Sequence, residues 1–171
     1  MLKMTEMCDK RAASIIREAI KKNLNIVVTG KNNTGKSLFL RSMISKVEPR
    51  FTIRTLDEYN EANLRDYYPE RNILTIKKLP TSESIKLYDL EVLFVDSDDE
   101  ELILKVLKAP TAQVLIATSK LTDDILEKLD GCKDYGLVIE MEHDDAGNPC
   151  VVAINEITSS KISIDNLYSK E

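Results

Sequence analysis

Apolar residues recur along the chain with two alternating periods. Between residues 9 and 23, Ala12, Ile15, Ile16, Ala19 and Ile20 fall on one face at helical spacing, Lys and Arg fill the other, and Asp9 stands where a cap belongs. Asn25-Ile26-Val27-Val28-Thr29-Gly30 follows, a β-branched run ending in glycine that reads as a buried strand. Helical spacing returns over Lys36–Lys46 through Leu38, Phe39, Leu40, Met43 and Ile44. Extended segments are predicted at Phe51–Thr55 and Asn72–Ile76, separated by a polar stretch, 57–71, that is helical in part. Pro80 opens a short helix, and Glu91–Asp96 (EVLFVD) and Gln113–Thr118 (QVLIAT) are two further apolar strands. Between those strands, Asp98 is the expected cap of a helix through Lys108 that buries Leu102, Ile103, Val106 and Leu107; 122–129 predicts another short helix.

Near the end the pattern changes. Gly136–Glu142 and Cys150–Ile157 alternate as half-buried strands, and the intervening HDDAGNP is a hairpin signal. Strands separated by helices predict an α/β fold, a mostly parallel sheet covered by helices with the hairpin as an antiparallel extension at one edge. The expected division is a helix over 1–23 packing on the core, one domain over 24–158, and a polar tail over 159–171.

Composition narrows the class. A chain of 171 residues suits one domain, and 43% hydrophobic residues exclude wholesale disorder. No apolar run approaches the ~18 residues needed to cross a bilayer, and Met1–Met7 lacks the order of a secretion signal, so a cytoplasmic chain is expected. Cys8, Cys132 and Cys150 have no CxxC spacing, which indicates neither a disulfide framework nor a zinc site. His143, the single histidine, leaves no metal cluster and no Ser-His-Asp arrangement, and it reads as solvated. Residues 1–50 carry eleven Lys and Arg against four Asp and Glu, while the remainder is acidic. That asymmetry permits anion binding at one end without predicting nucleic acid, because no aromatics are interleaved with the basic residues.

Candidate chemistry sits in the basic third. Gly30-Lys31-Asn32-Asn33-Thr34-Gly35-Lys36-Ser37 matches GxxxxGK[ST] between an apolar strand and an amphipathic helix, as phosphate binding requires. Gly30 and Gly35 let successive N–H groups turn inward toward an oxyanion, and the amides of Lys36, Ser37 and Leu38 open the helix toward the same point. Lys36 supplies charge for the β and γ phosphates of ATP or ADP, and Ser37 offers a hydroxyl to Mg²⁺. Asp96, at the carboxyl end of its strand, is the expected second magnesium residue, placed on a strand beside the loop. Its structural alternative is the start of an acidic helix, DSDDEE, favoured by the dipole. Asp98, Asp99 and Glu100 are the nearby candidates to activate water.

With these pieces placed, residues from about Ala19 to Thr158 resemble the ATPase core of the secretion and pilus-assembly motor family of type II and type IV systems. Besides the loop, Phe51–Glu58 is similar to that family's strand and acidic box, Asn72–Ile76 to its next strand, and Glu91–Ser97 to its Walker B strand. Val138–Glu142 with Val151–Thr158 is similar to its last hairpin. The resemblance implies a P-loop NTPase of RecA-like type, a three-layer sandwich using ATP and Mg²⁺, with self-assembly into a ring or association with other motor subunits.

Departures from the pattern are equally specific. Arg54-Thr55 stands where the acidic box has Glu-Asp, leaving Glu58 of that group; Asp96-Ser97 stands where Walker B ends in Gly-Glu; Thr118-Ser119-Lys120 stands at the histidine box. Losing a group that orients or deprotonates water costs about 10²–10⁴ in rate, whereas phosphate contacts remain. The expectation is nucleotide binding with weak or absent hydrolysis. The alternatives are a working ATPase in which Asp96 holds magnesium and Asp98, Asp99 or Glu58 replaces the base, and a small P-loop kinase.

Overall fold

The structure is a computed structural model, and it describes residues 4–56, 63–76, 91–108, 113–120, 136–158 and 163–170. Glu58, Cys132 and the helices expected from Pro80 and over 122–129 lie outside the described residues.

The N-terminal periodicity becomes one helix, preceded by a single helical turn. Helix α2 (Lys10–Lys21) buries Ala12, Ala13, Ile16, Ala19 and Ile20, and the Asp9 carboxylate caps it by accepting from the Ala12 amide at 2.8 Å. Before it, the single turn α1 (Met4–Met7) buries Met4 and Met7, an element too short to leave a periodic signal.

Eight strands form one sheet in the order β3-β2-β4-β5-β1-β6-β7-β8: β1 Ile26–Gly30, β2 Thr52–Leu56, β3 Ile73–Ile76, β4 Glu91–Asp96, β5 Gln113–Thr118, β6 Leu137–His143, β7 Pro149–Thr158 and β8 Ser163–Ser169. From β3 to β6 every pairing is parallel, and β7 and β8 add antiparallel. Both faces are covered, as the unbroken apolar runs in β4 and β5 require. One face (Ile26, Val28, Phe94, Leu115, Ala117) packs with α2 and with α3 (Lys36–Met43) through Phe39, Leu40 and Met43. The other (Val27, Leu93, Val95, Val114, Ile116) packs on α5 (Glu100–Leu107) through Ile103, Val106 and Leu107. A short turn, α4 (Leu64–Tyr67), precedes β3.

Three expectations are corrected. The polar tail is in part a strand: β8 pairs with β7 through its backbone, which needs no apolar sequence, while Tyr168 is 4% exposed and donates its hydroxyl to Asp9 at 3.0 Å. The cap of α5 is Asp99, whose carboxylate accepts from the Leu102 amide at 3.1 Å, so Asp98 is free for other work. Finally, β5 stands between β4 and β1, so the strand that ends in Asp96 does not adjoin the phosphate loop's strand.

Candidate functional site

The carboxyl ends of β1, β4, β5 and β6 open on one end of the sheet, where a doubly covered parallel sheet accommodates ligands. The loop between β1 and α3 turns there by three positive-φ residues, Gly30 (147°), Asn33 (65°) and Gly35 (79°). A side chain at Gly30 has no room: its Cβ would lie 2.2 Å from the Met141 carbonyl oxygen and 3.0 Å from Thr34 Oγ1. A Cβ at Gly35 would lie 2.8 Å from Pro149 Cβ, so the loop is pressed against the β6–β7 hairpin. These contacts fix the path of the loop's backbone, which a phosphate cradle built of backbone amides requires.

Inside the loop, the Lys31 carbonyl accepts from Thr34 Oγ1 at 2.8 Å, from the Thr34 amide at 3.4 Å and from Lys36 Nζ at 2.7 Å. Thr34 is thereby buried and structural, while Lys31, Asn32 and Asn33 are exposed. The Lys36 ammonium has three donors, so the bond to Lys31 leaves two for a phosphate oxygen. Helix α3 starts at Lys36 with Gly35 as its cap, and Phe39 is the first residue to bond back, to the Gly35 carbonyl at 2.8 Å. The amides of Lys36, Ser37 and Leu38 precede that bond and face the loop without an intrahelical acceptor. Backbone donors, an ammonium and the Ser37 hydroxyl are a donor set that fits a polyphosphate with its magnesium ion.

The carboxylates divide differently from expectation. Asp96 ends β4, exposed, and by strand alternation shares the α3 face with Val92 and Phe94. Its register partner is Ala117 on β5, and β5 in turn pairs with β1. Asp98 is held at the end of β5: Oδ1 accepts from the Ser119 amide at 2.6 Å and Thr118 Oγ1 at 3.1 Å, and Oδ2 accepts from Ser119 Oγ at 2.6 Å. Partial burial pushes the Asp98 carboxyl up, but the bonds from Ser119 and Thr118 and the charge of Lys36 outweigh it, leaving the group below its ordinary value. The structure therefore brings Asp98 into the electrostatic reach of Lys36. Asp99 is spent on capping, and Glu100 starts α5, exposed.

The sequence placed Thr118 and Ser119 only at the position of the resemblance's histidine box, and gave no sign that they hold Asp98. In β2, Thr55 is buried with no partner for its hydroxyl, and the strand carries no carboxylate.

Neither a family model nor a curated protein matches the chain. Among solved structures, it is similar to the VirB11 ATPase from the Brucella suis type IV secretion system, solved in complex with sulphate, at a TM-score of 0.58 and 13% identity. That match covers 84% of this chain and spans about half of the other, 51% of its length. The flagellar accessory protein FlaH from Methanocaldococcus jannaschii also matches, at a TM-score of 0.43 and 11% identity over 90% of this chain and 95% of that one. The fold is of the RecA-like α/β type: a mostly parallel, doubly covered sheet with antiparallel strands at its C-terminal side.

Proposed function

We propose that the chain is an ATP-binding protein related to the secretion and pilus motor ATPases, which holds ATP with Mg²⁺ and hydrolyses it slowly or not at all by itself. Gly30–Leu38 takes the phosphates through its amides and Lys36, and Ser37 with Asp96 holds the metal. Bound Mg²⁺ would neutralise phosphate charge, and the loop would supply the amides and the ammonium that hold the phosphates.

The observation that carries the reading is the loop itself, its backbone path fixed by Gly30 against Met141 and by Gly35 against Pro149. Slow turnover is supported by the state of Asp98. A general base works best with a pKa near the working pH, whereas Asp98 lies below the ordinary carboxylate value with both oxygens engaged. It suits an electrostatic or metal-organising role better than proton abstraction. Assembly into a ring, or with a fuller motor subunit in the cytoplasm, is the natural route by which missing groups would be supplied.

Steady-state phosphate release by the wild type and by Lys36→Ala tests this. Saturable ATP binding with release near the uncatalysed level supports the proposal. Robust turnover that Lys36→Ala abolishes would establish the working ATPase instead, and transfer to a small metabolite would establish the kinase.

A further inference from the structure

A cleft of about 430 Å³ opens between the N-terminal segment Glu6–Asp9, the start of β7 and the end of β8. Its size falls within the roughly 300–1,000 Å³ of small-molecule sites. Pro149 belongs to two places at once: it lines this cleft, and its ring is what a Cβ on Gly35 would strike. The cleft is therefore next to the phosphate loop, with Pro149 as the shared wall.

The two places differ in charge. The loop carries Lys31, Lys36 and the amides that open α3, whereas the cleft is rimmed by the carboxylates of Glu6, Asp9 and Asp144, with Lys170 the single cation among the described residues that line it. Lys170 is directed inward, its ammonium donating to Cys150 Sγ at 3.5 Å. Asp9 and Asp144 are already held in place, the first by the Ala12 amide and the Tyr168 hydroxyl, the second by the Ala146 and Asn148 amides. A phosphate-like anion is disfavoured on that rim. A neutral group with an apolar ring and several N–H or O–H donors fits it, with Met7, Pro149 and Cys150 for the ring and carboxylates for the donors.

We infer that this cleft receives the nucleoside end, base and ribose, of the nucleotide whose phosphates occupy Gly30–Ser37. The inference rests on the phosphate-binding reading and extends it: one ligand, anionic at one end and neutral and donor-rich at the other, matches two adjoining surfaces of opposite charge. The N-terminal segment and β8 then contribute to nucleotide affinity, although both lie far in sequence from the loop.

Calorimetric titrations with inorganic tripolyphosphate, ATP and GTP separate the two halves. Asn148→Trp places a ring at the cleft mouth from an exposed turn, and Cys150→Phe fills the cleft from β7. Wild type is expected to bind a nucleotide at least tenfold more tightly than tripolyphosphate. Both cleft variants are expected to lose that advantage while binding tripolyphosphate within twofold of wild type, which also shows that they are folded; Lys36→Ala weakens every ligand. Nucleotide binding by Asn148→Trp at wild-type strength, or equal wild-type affinities for tripolyphosphate and nucleotides, overturns the cleft and leaves the loop standing. If wild type binds none of the three, the phosphate reading falls and the cleft falls with it.

Discussion

On one side of the site, Gly30–Ser37 presents backbone amides whose direction is set by three positive-φ residues and by packing against Met141 and Pro149. On the other side, Asp98 presents a side chain whose direction is set by Thr118 and Ser119 at the end of β5. A cradle made of backbone survives most sequence change outside its glycines. A carboxylate site changes function when one residue moves, and here the capping role falls to Asp99 while Asp98 turns toward Ser119. The contrast teaches why binding and turnover separate in such a chain: the two rely on different kinds of atoms.

The contrast breaks most sharply at Gly30. Gly30→Ala drives a methyl group into the Met141 carbonyl at a φ of 147°, and should cost about 3 kcal/mol or more of stability, read as a lower urea midpoint. Gly147→Ala is the control: φ is 81° but nothing lies within 4 Å, so only backbone strain of about 1 kcal/mol is expected.

Next in size is Lys36→Ala. It should leave stability near wild type and remove charge-assisted phosphate contacts of about 1.5–3 kcal/mol, roughly a 10- to 150-fold loss of nucleotide affinity.

On the acidic side the effects are smaller. Ser119→Ala deletes the 2.6 Å bond to Asp98 and should cost about 1 kcal/mol; the Asp98 carboxyl then rises toward 3.8, its ordinary value, which carboxyl NMR titration detects. Because the folded value lies below the unfolded one, Asp98 stabilises the fold above the unfolded value, and that contribution is lost as pH falls through the folded value. Asp98→Asn should accordingly flatten the acid limb of the stability curve.

The gentlest change is Tyr168→Phe, which removes the bond from β8 to Asp9 at a cost of about 1 kcal/mol. Burial, followed by the bond to Asp9, pushes Tyr168 up to about 12 from 10.0. Its contribution is complete below the unfolded value and fades as pH rises through the folded one, so wild type should lose stability across that interval and the variant lose less.

What could be read from sequence follows the same division. β4 and β5 were legible to the residue because strands buried on both faces leave uninterrupted apolar runs. The loop was legible because its glycines and lysine are required at fixed spacing. β8 was not, since backbone pairing at a sheet edge leaves Asn166 and Ser169 polar. Nor was the Asp98–Ser119 contact, which joins residues 21 positions apart in sequence through two neighbouring strands. The cleft was beyond reach for a related reason: its walls come from both ends of the chain.

The most direct measurement is a calorimetric titration of ATP into the wild-type chain and Lys36→Ala, each with and without magnesium. Saturable binding by wild type, strengthened by magnesium and weakened at least tenfold by the substitution, is the expected result. Heat indistinguishable from dilution at millimolar ATP, or affinity unchanged by the loss of Lys36, contradicts the account.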